Sequence, residues 1–265
     1  MMTAPLPVLL YHSIDDDPPT WIAPFTVSRR EFAAQLDAIA DSGRVAVSSA
    51  EVVEARRGGA PLSENAVLIT FDDGFRNFAT SALPELDRRA LPATLFVTTG
   101  ALGRVNKSLL PDAPMLTFAQ VSQLAEAGVE IGAHAHLHAQ LDTLRTVEIV
   151  EELSLAKWIL EDVLSRAVNL FAYPHGYSNA EVRRLTRETG YQGAFAVGNA
   201  FSPDTDDPFR VARLMVQADT TRARFESWLR GTGAPSAPAH EQVKTVCWRM
   251  WRRERARLWG QPTIA

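Results

Sequence analysis

A single cysteine, Cys247, stands in a chain of 265 residues, which excludes an intrachain disulfide and a thiolate metal cluster. No apolar run reaches the length of a membrane span. The opening stretch, MMTAPLPVLLYHSI, has no Lys or Arg ahead of its short apolar run and no small-residue cleavage pattern behind it. It reads as no secretory signal and sets the expectation of a cytoplasmic protein. Strong charge of one sign is lacking too: a formal net charge of -4 offers no general attraction to nucleic acid or anionic membrane, so any such contact has to be local. Neither GxGxxG nor GxxxxGKS/T occurs, which removes the glycine-rich phosphate cradles, and no GxSxG nucleophile elbow occurs.

What is present is an alternation. Seven apolar runs of strand length, PVLLY, AVLIT, ATLFV, VEIGA, NLFAY, QGAFAV and RLMV, are separated by helical patterns. Their lack of polar alternation suits strands buried on both faces of a parallel sheet. Several helices carry start signals with capping-box spacing, at Ser28 with Glu31, Ser48 with Glu51, Thr117 with Gln120 and Ser178 with Glu181. Gly43, Gly128 and Gly190 stand where C-terminal caps belong. The pattern allows an open doubly wound sheet or a closed ring of strand and helix units. Polar residues favour the ring, because they sit at C-terminal strand ends, where barrel enzymes build their sites: His12 after PVLLY, Asp72 and Asp73 after AVLITF, the histidines after VEIGA, and Pro174, His175 and Gly176 after NLFAY. The fold class expected is α/β, a distorted (β/α) barrel of seven strands over residues 1–230. A linker, GTGAPSAPA, and a basic aromatic helix would follow over 231–265. The long connections 13–27 and 101–116 begin on the same face and are candidate substrate loops.

Two stretches carry the chemistry. In LITFDDGF two adjacent carboxylates close an apolar strand, where each needs a cation, a donor or water. In IGAHAHLHAQL three of the six histidines fall within five positions. A continuing strand would put His134, His136 and His138 on one face, whereas a helical turn would pair only His134 with His138. Two imidazoles and a carboxylate are a common ligand set for a zinc-like ion, and a second carboxylate nearby can serve as base.

These segments resemble the polysaccharide deacetylases that share the NodB homology domain. TFDDG, Thr70 to Gly74, looks like the family's first motif and IGAHAHLH like its second. FAYPHG, Phe171 to Gly176, is similar to the third motif of the subgroup that includes poly-N-acetylglucosamine deacetylases, and LLYHSI and FRVARLMVQADTT resemble further segments of that subgroup. The resemblance spans roughly residues 7 to 230. It implies a NodB-like barrel and hydrolysis of an N-acetyl amide on an amino sugar. It implies Asp72 as base, His12 as general acid, and Asp73, His134 and His138 as ligands of one divalent ion, zinc first, with cobalt, nickel or iron(II) as alternatives. The backbone N–H of His175 would face the oxyanion, with Tyr173, Pro174 and Trp21 at the substrate. His136 falls at a variable position of the motif.

The sequence departs from the family pattern in places. Where many members carry an arginine in the third motif to orient the base, Ala172 stands here, and Arg213 in ARLMV is the candidate replacement. Ala135 and Ala139 replace a common Ser or Thr and a common Pro. Trp21, Phe25, Tyr173 and Tyr177 are candidates for stacking on sugar faces. In the tail, Trp248, Met250, Trp251, Leu258 and Trp259 interleave with Arg249, Arg252, Arg253, Arg255 and Arg257. Such a helix either lies peripherally on an anionic membrane, which would suit a lipid-linked sugar, or packs on the barrel or a second subunit with its arginines solvated. The competing functions are an amidohydrolase acting on a cyclic amide or ureide, and a non-catalytic carbohydrate-binding barrel. No nucleic-acid partner is expected.

Overall fold

The computed structural model describes residues 5–103, 106–238 and 243–261. Its strands are β1 (Val8–Tyr11), β2 (Ser13–Ile14), β3 (Thr26–Val27), β4 (Val45–Val47), β5 (Ala66–Phe71), β6 (Thr94–Val97), β7 (Glu130–Ala133), β8 (Leu170–Ala172), β9 (Gly193–Phe195) and β10 (Leu214–Met215). Its helices are α1 (Arg29–Asp41), α2 (Ser49–Arg56), α3 (Leu83–Arg88), α4 (Phe118–Glu126), α5 (Thr146–Leu164), α6 (Ala180–Glu188), α7 (Arg222–Leu229) and α8 (Val243–Trp259). One parallel sheet runs β10-β1-β5-β6-β7-β8-β9. It curls back on itself where Phe195 bridges Val211 and Ala196 N–H donates to Val211 O at 2.8 Å, just upstream of β10. Seven strands therefore follow one another around the curl, as the apolar runs predict.

An eighth strand, β4, was not legible as an apolar run. It is three residues long, pairs with the first half of β5, and leaves Val45 half exposed. β2 and β3 form a separate parallel pair inside the 13–27 connection.

Every residue of β1, β5 and β6 is buried, and the period of two sorts them into layers. Leu9, Tyr11, Val67, Ile69 and Phe71 join Phe32 and Leu36 of α1 in the layer between sheet and helices. Val8, Leu68, Phe96, Ala172 and Phe195 form a second cluster, with Val52 and Val53 of α2. Burial of both strand faces accounts for runs without polar alternation.

The helix starts follow the capping signals with one correction. Ser28 caps α1, and Ser48 with Glu51 and Thr117 with Gln120 form reciprocal boxes. α6 is capped by Asn179, not Ser178: the extended backbone of Asn179 brings Oδ1 within 2.8 Å of Val182 N–H, satisfying a free helix donor, while Ser178 Oγ lies near Arg183. Gly43, Gly128 and Gly190 take positive φ directly after α1, α4 and α6, as C-terminal caps require.

The C-terminal segment lies against the barrel. Pro235 and Ala237 exchange backbone hydrogen bonds with Phe201, each 2.9 Å. α8 then packs on the 3-10 turn Leu141–Thr143. Its arginines are not all solvated, which corrects the sequence expectation. Arg252 is 4% exposed and ion-paired to Asp142, whereas Trp251, Leu258 and Trp259 face outward. A buried carboxylate on the barrel selects the cationic side of the helix, because Asp142 would otherwise be an uncompensated charge.

Candidate metal centre

His12, the Asp72-Asp73 pair, His134 and the turn Pro174–Gly176 follow β1, β5, β7 and β8 directly and converge at one end of the curl. In a continuing strand adjacent carboxylates would point to opposite faces. Asp72 still belongs to the ladder, its N–H donating to Tyr11 O at 3.0 Å, but Asp73 takes φ 73° and turns its side chain into the same cavity. The histidine segment breaks in the same way. His134 N–H bonds Val97 O at 2.9 Å as the last rung of β7, Ala135 takes φ 61°, and the chain leaves the strand as an irregular turn, not a helix. His134 and His138 come together, and His136 turns away, with Nδ1 2.9 Å from Thr99 Oγ1. Four non-glycine residues with positive φ, Asp73, Ala135, His138 and His175, thus stand at this end of the curl, where strain of about 1–3 kcal/mol each has to be held by the surroundings.

Asp73 Oδ1 lies 3.3 Å from His138 Nε2 and 3.5 Å from His134 Nε2, and all three residues are buried. That oxygen has no hydrogen-bond partner, although it is buried. Ligand atoms about 2.0–2.1 Å from one tetrahedral ion stand roughly 3.3 Å apart, so the spacing fits a divalent ion between them. His134 Nδ1 donates to Ala172 O at 2.8 Å, which fixes the tautomer and leaves the Nε2 lone pair facing Asp73. Burial pulls the His134 imidazole down to about 4, against the opposing pull of Asp72. Burial pushes Asp73 up, but the contact with His138 and the neighbouring histidine charges outweigh it and hold the carboxyl well below the usual range.

Asp72 has a different partner. Arg213, fully buried, meets it with both forks, Nη1 to Oδ1 and Nη2 to Oδ2, each 2.7 Å. Nη1 also lies 3.3 Å from Thr70 Oγ1, and Nε donates to Ala196 O at 3.2 Å. Burial alone would raise Asp72, yet the guanidinium, helped by His134 and His12, holds it below the ordinary carboxylate range. Ala172 of β8 carries no cation and offers its carbonyl to His134; the cation on Asp72 comes instead from the segment entering β10.

A cavity of about 70 Å³ opens over these groups, lined also by His12, His175, Trp21, Phe25 and Leu110. Burial lowers His12, against the opposing pull of Asp73 and Asp72. The two long connections meet here: Trp21 Nε1 donates to Asp112 O at 3.4 Å. Gly100 donates its N–H to His136 O at 2.8 Å, and a Cβ there would lie 2.6 Å from that oxygen, so only glycine allows the approach. Gly176 likewise has φ 75° and packs directly on the Val197 backbone. Pro174 is buried and starts the turn in which His175 takes φ 57°.

Two sequence candidates lie elsewhere. Tyr173 is wholly buried, its hydroxyl donating to Phe209 O at 3.0 Å, because Phe171 and Tyr173 share the strand face that packs on helices. Its side chain packs in the core and does not line the cavity, which corrects its assignment to the substrate. Tyr177 is covered by the Arg252 guanidinium, 3.7 Å from its ring centroid. One residue was missed: Glu152 of α5, 6% exposed, accepts the N–H groups of His136 and Leu137 at 2.9 and 2.8 Å. Its signal was a glutamate among Ile149, Leu153, Ala156 and Leu160 on the apolar face of a helix.

Known proteins share this arrangement of elements. The sequence profile of the family described as polysaccharide deacetylase matches residues 59–194, just over half of the chain. YxkH of Bacillus subtilis is 28% identical over 226 residues, covering 85% of this chain and 76% of its own length. The poly-beta-1,6-N-acetyl-D-glucosamine N-deacetylase of Staphylococcus epidermidis is 24% identical, covering 77% of this chain and 72% of its own. Among solved structures, IcaB from Ammonifex degensii superposes with a TM-score of 0.74 at 26% identity, over 88% of this chain and 99% of that one. The Streptococcus pyogenes deacetylase PplD, solved with acetate, also gives 0.74, at 23% identity over 86% and 97%, a likeness of fold.

Proposed function

The chain belongs to the polysaccharide deacetylase family, and on that premise we propose that it hydrolyses the N-acetyl group of an amino sugar at the Asp73, His134 and His138 centre. The observation that carries the reading is the unpartnered, buried Asp73 Oδ1 between two imidazole nitrogens, beside a second carboxylate held by its own arginine. An N2O donor set favours zinc, with cobalt, nickel and iron(II) as alternatives. When bound, such an ion polarises the acetyl carbonyl and acidifies water.

The protein's own groups divide the remaining work. Asp72, fixed by the Arg213 fork, takes the proton of the attacking water. His12, which lines the same cavity as the carboxylates, protonates the departing amine. The backbone N–H of His175 donates to the oxyanion. A cavity of about 70 Å³ suits an acyl group, not a whole sugar, so the sugar ring would lie across Trp21 at the mouth. The Staphylococcus epidermidis relative supports an N-acetylglucosamine-type substrate. A cyclic amide or ureide hydrolase working without metal would have no use for this ligand set, and a binding barrel would have no use for the base.

For location, the reading is a cytoplasmic enzyme, with the outward Trp251, Leu258 and Trp259 of α8 touching an anionic membrane that carries a lipid-linked sugar. Binding of the whole protein to anionic but not neutral vesicles supports this contact. Concentration-dependent dimerisation without vesicle binding assigns the face to a second copy.

The test of function is metal stoichiometry after dialysis and zinc reloading, followed by acetate release from N-acetyl sugars. About one equivalent in wild type and little in Asp73→Ala or His138→Ala is expected; no tight zinc in any of them refutes the proposal.

A further inference from the structure

Three residues beyond His138 the chain begins the short turn Leu141–Thr143, and the C-terminal helix grips it. Asp142, 1% exposed, receives Arg252 Nη1 and Nη2 at 2.8 and 2.6 Å, and Arg249 Nε lies 3.3 Å from its Oδ2. Arg252 Nη1 also donates to Gln140 Oε1 at 3.3 Å. Just past the helix, Gln261 accepts the Gln140 N–H at 3.3 Å and donates to Thr143 Oγ1 at 2.7 Å. A second line of contact leaves the same guanidinium. It lies over the Tyr177 ring at 3.7 Å, Tyr177 stacks parallel to His175 at 6.1 Å, and His175 packs 4.7 Å from His138.

His138 requires such support, because it combines a left-handed backbone, φ 65°, with a place in the metal ligand set. On its N-terminal side Glu152 pins the N–H groups of His136 and Leu137. On its C-terminal side the anchors described here come from α8 and Gln261. A buried bidentate ion pair suits fixing a loop better than adding stability, since its Coulomb gain largely repays desolvation while its geometry is specific.

We propose that Arg252 is a positioning residue: paired with Asp142, it clamps the turn that follows His138 and thereby sets the metal affinity of the site, which makes the C-terminal helix part of the active centre. This rests on the reading of Asp73, His134 and His138 as metal ligands.

The test compares the full-length wild type, Arg252→Met and the double variant Asp142→Asn/Arg252→Met. Zinc affinity is measured by chelator competition well below the lowest melting temperature. Arg252→Met leaves Asp142 buried without its main cation and should melt lower, whereas the double variant, with neither charge of the pair left, should melt near wild type. Zinc binding should be about 10–100-fold weaker in both, the range found when groups supporting metal ligands are removed. Wild-type zinc affinity in the double variant overturns the proposal, because the pair would then serve stability alone. If Arg252→Met does not fold, the double variant decides; if neither folds, the proposal is overturned in favour of a helix that the whole barrel depends on. A wild type that binds no zinc refutes the metal reading itself, whereas zinc bound equally by all three refutes only the clamp.

Discussion

Replacing Arg213 with Met tests how Asp72, the proposed base, is kept ionised. Arg213 is 0% and Asp72 2% exposed, and the two share two hydrogen bonds of 2.7 Å, so solvent screens the pair little. Removing one partner of a buried pair costs about 3–5 kcal/mol of stability, because the remaining charge is left without compensation. The effect on chemistry has a definite sign. Burial raises the Asp72 pKa and Arg213 lowers it, so in Arg213→Met it rises. A base works only when ionised, so the acidic limb of the pH profile of kcat/KM moves to higher pH. Linkage gives a matching stability signature. In wild type the depressed Asp72 pKa contributes stability above the unfolded carboxylate value, and this is lost as pH falls through the folded pKa. In Arg213→Met the melting temperature should instead improve on mild acidification. The assay is acetate release from pH 4 to 9 beside melting curves over the same range. A variant with the wild-type acidic limb and wild-type turnover would refute the reasoning.

Asp72→Asn should keep about one equivalent of zinc while turnover falls by roughly 10²–10⁴; near-normal activity removes Asp72 from the base role. His12→Ala should slow turnover over the same approximate range and retain zinc, whereas metal loss would make His12 a ligand. Trp21→Ala should raise KM for an N-acetyl sugar roughly 2- to 12-fold with kcat little changed, the size of a lost stacking contact of about 0.5–1.5 kcal/mol. A fall in kcat alone would place Trp21 in the chemistry and not in sugar binding.

The strand runs and their polar ends were legible because burial on both faces leaves a local signature, and a carboxylate or imidazole ending such a run is conspicuous. LITFDDGF and IGAHAHLH could be read this way, and so could the caps at Ser48 and Thr117, whose partners lie three residues on. Which histidines converge was not legible from spacing alone, since it depends on the left-handed turn at Ala135, a residue that gives no sign of positive φ. Tyr173 looked like a ligand contact because its motif position is near the site, but strand alternation turns it to the helices. Glu152 with the His136 and Leu137 N–H groups and Asp142 with Arg252 are pairings made by closure of the fold, between residues 15 to 110 positions apart. β4 was too short and too exposed to announce itself.

The Arg213 to Asp72 contact spans 141 positions and is made by the segment that also closes the curled sheet. Closing the sheet and compensating the buried Asp72 carboxylate are thus one contact, and a chain whose seam at Val211 to Met215 opens loses the Asp72 cation with it.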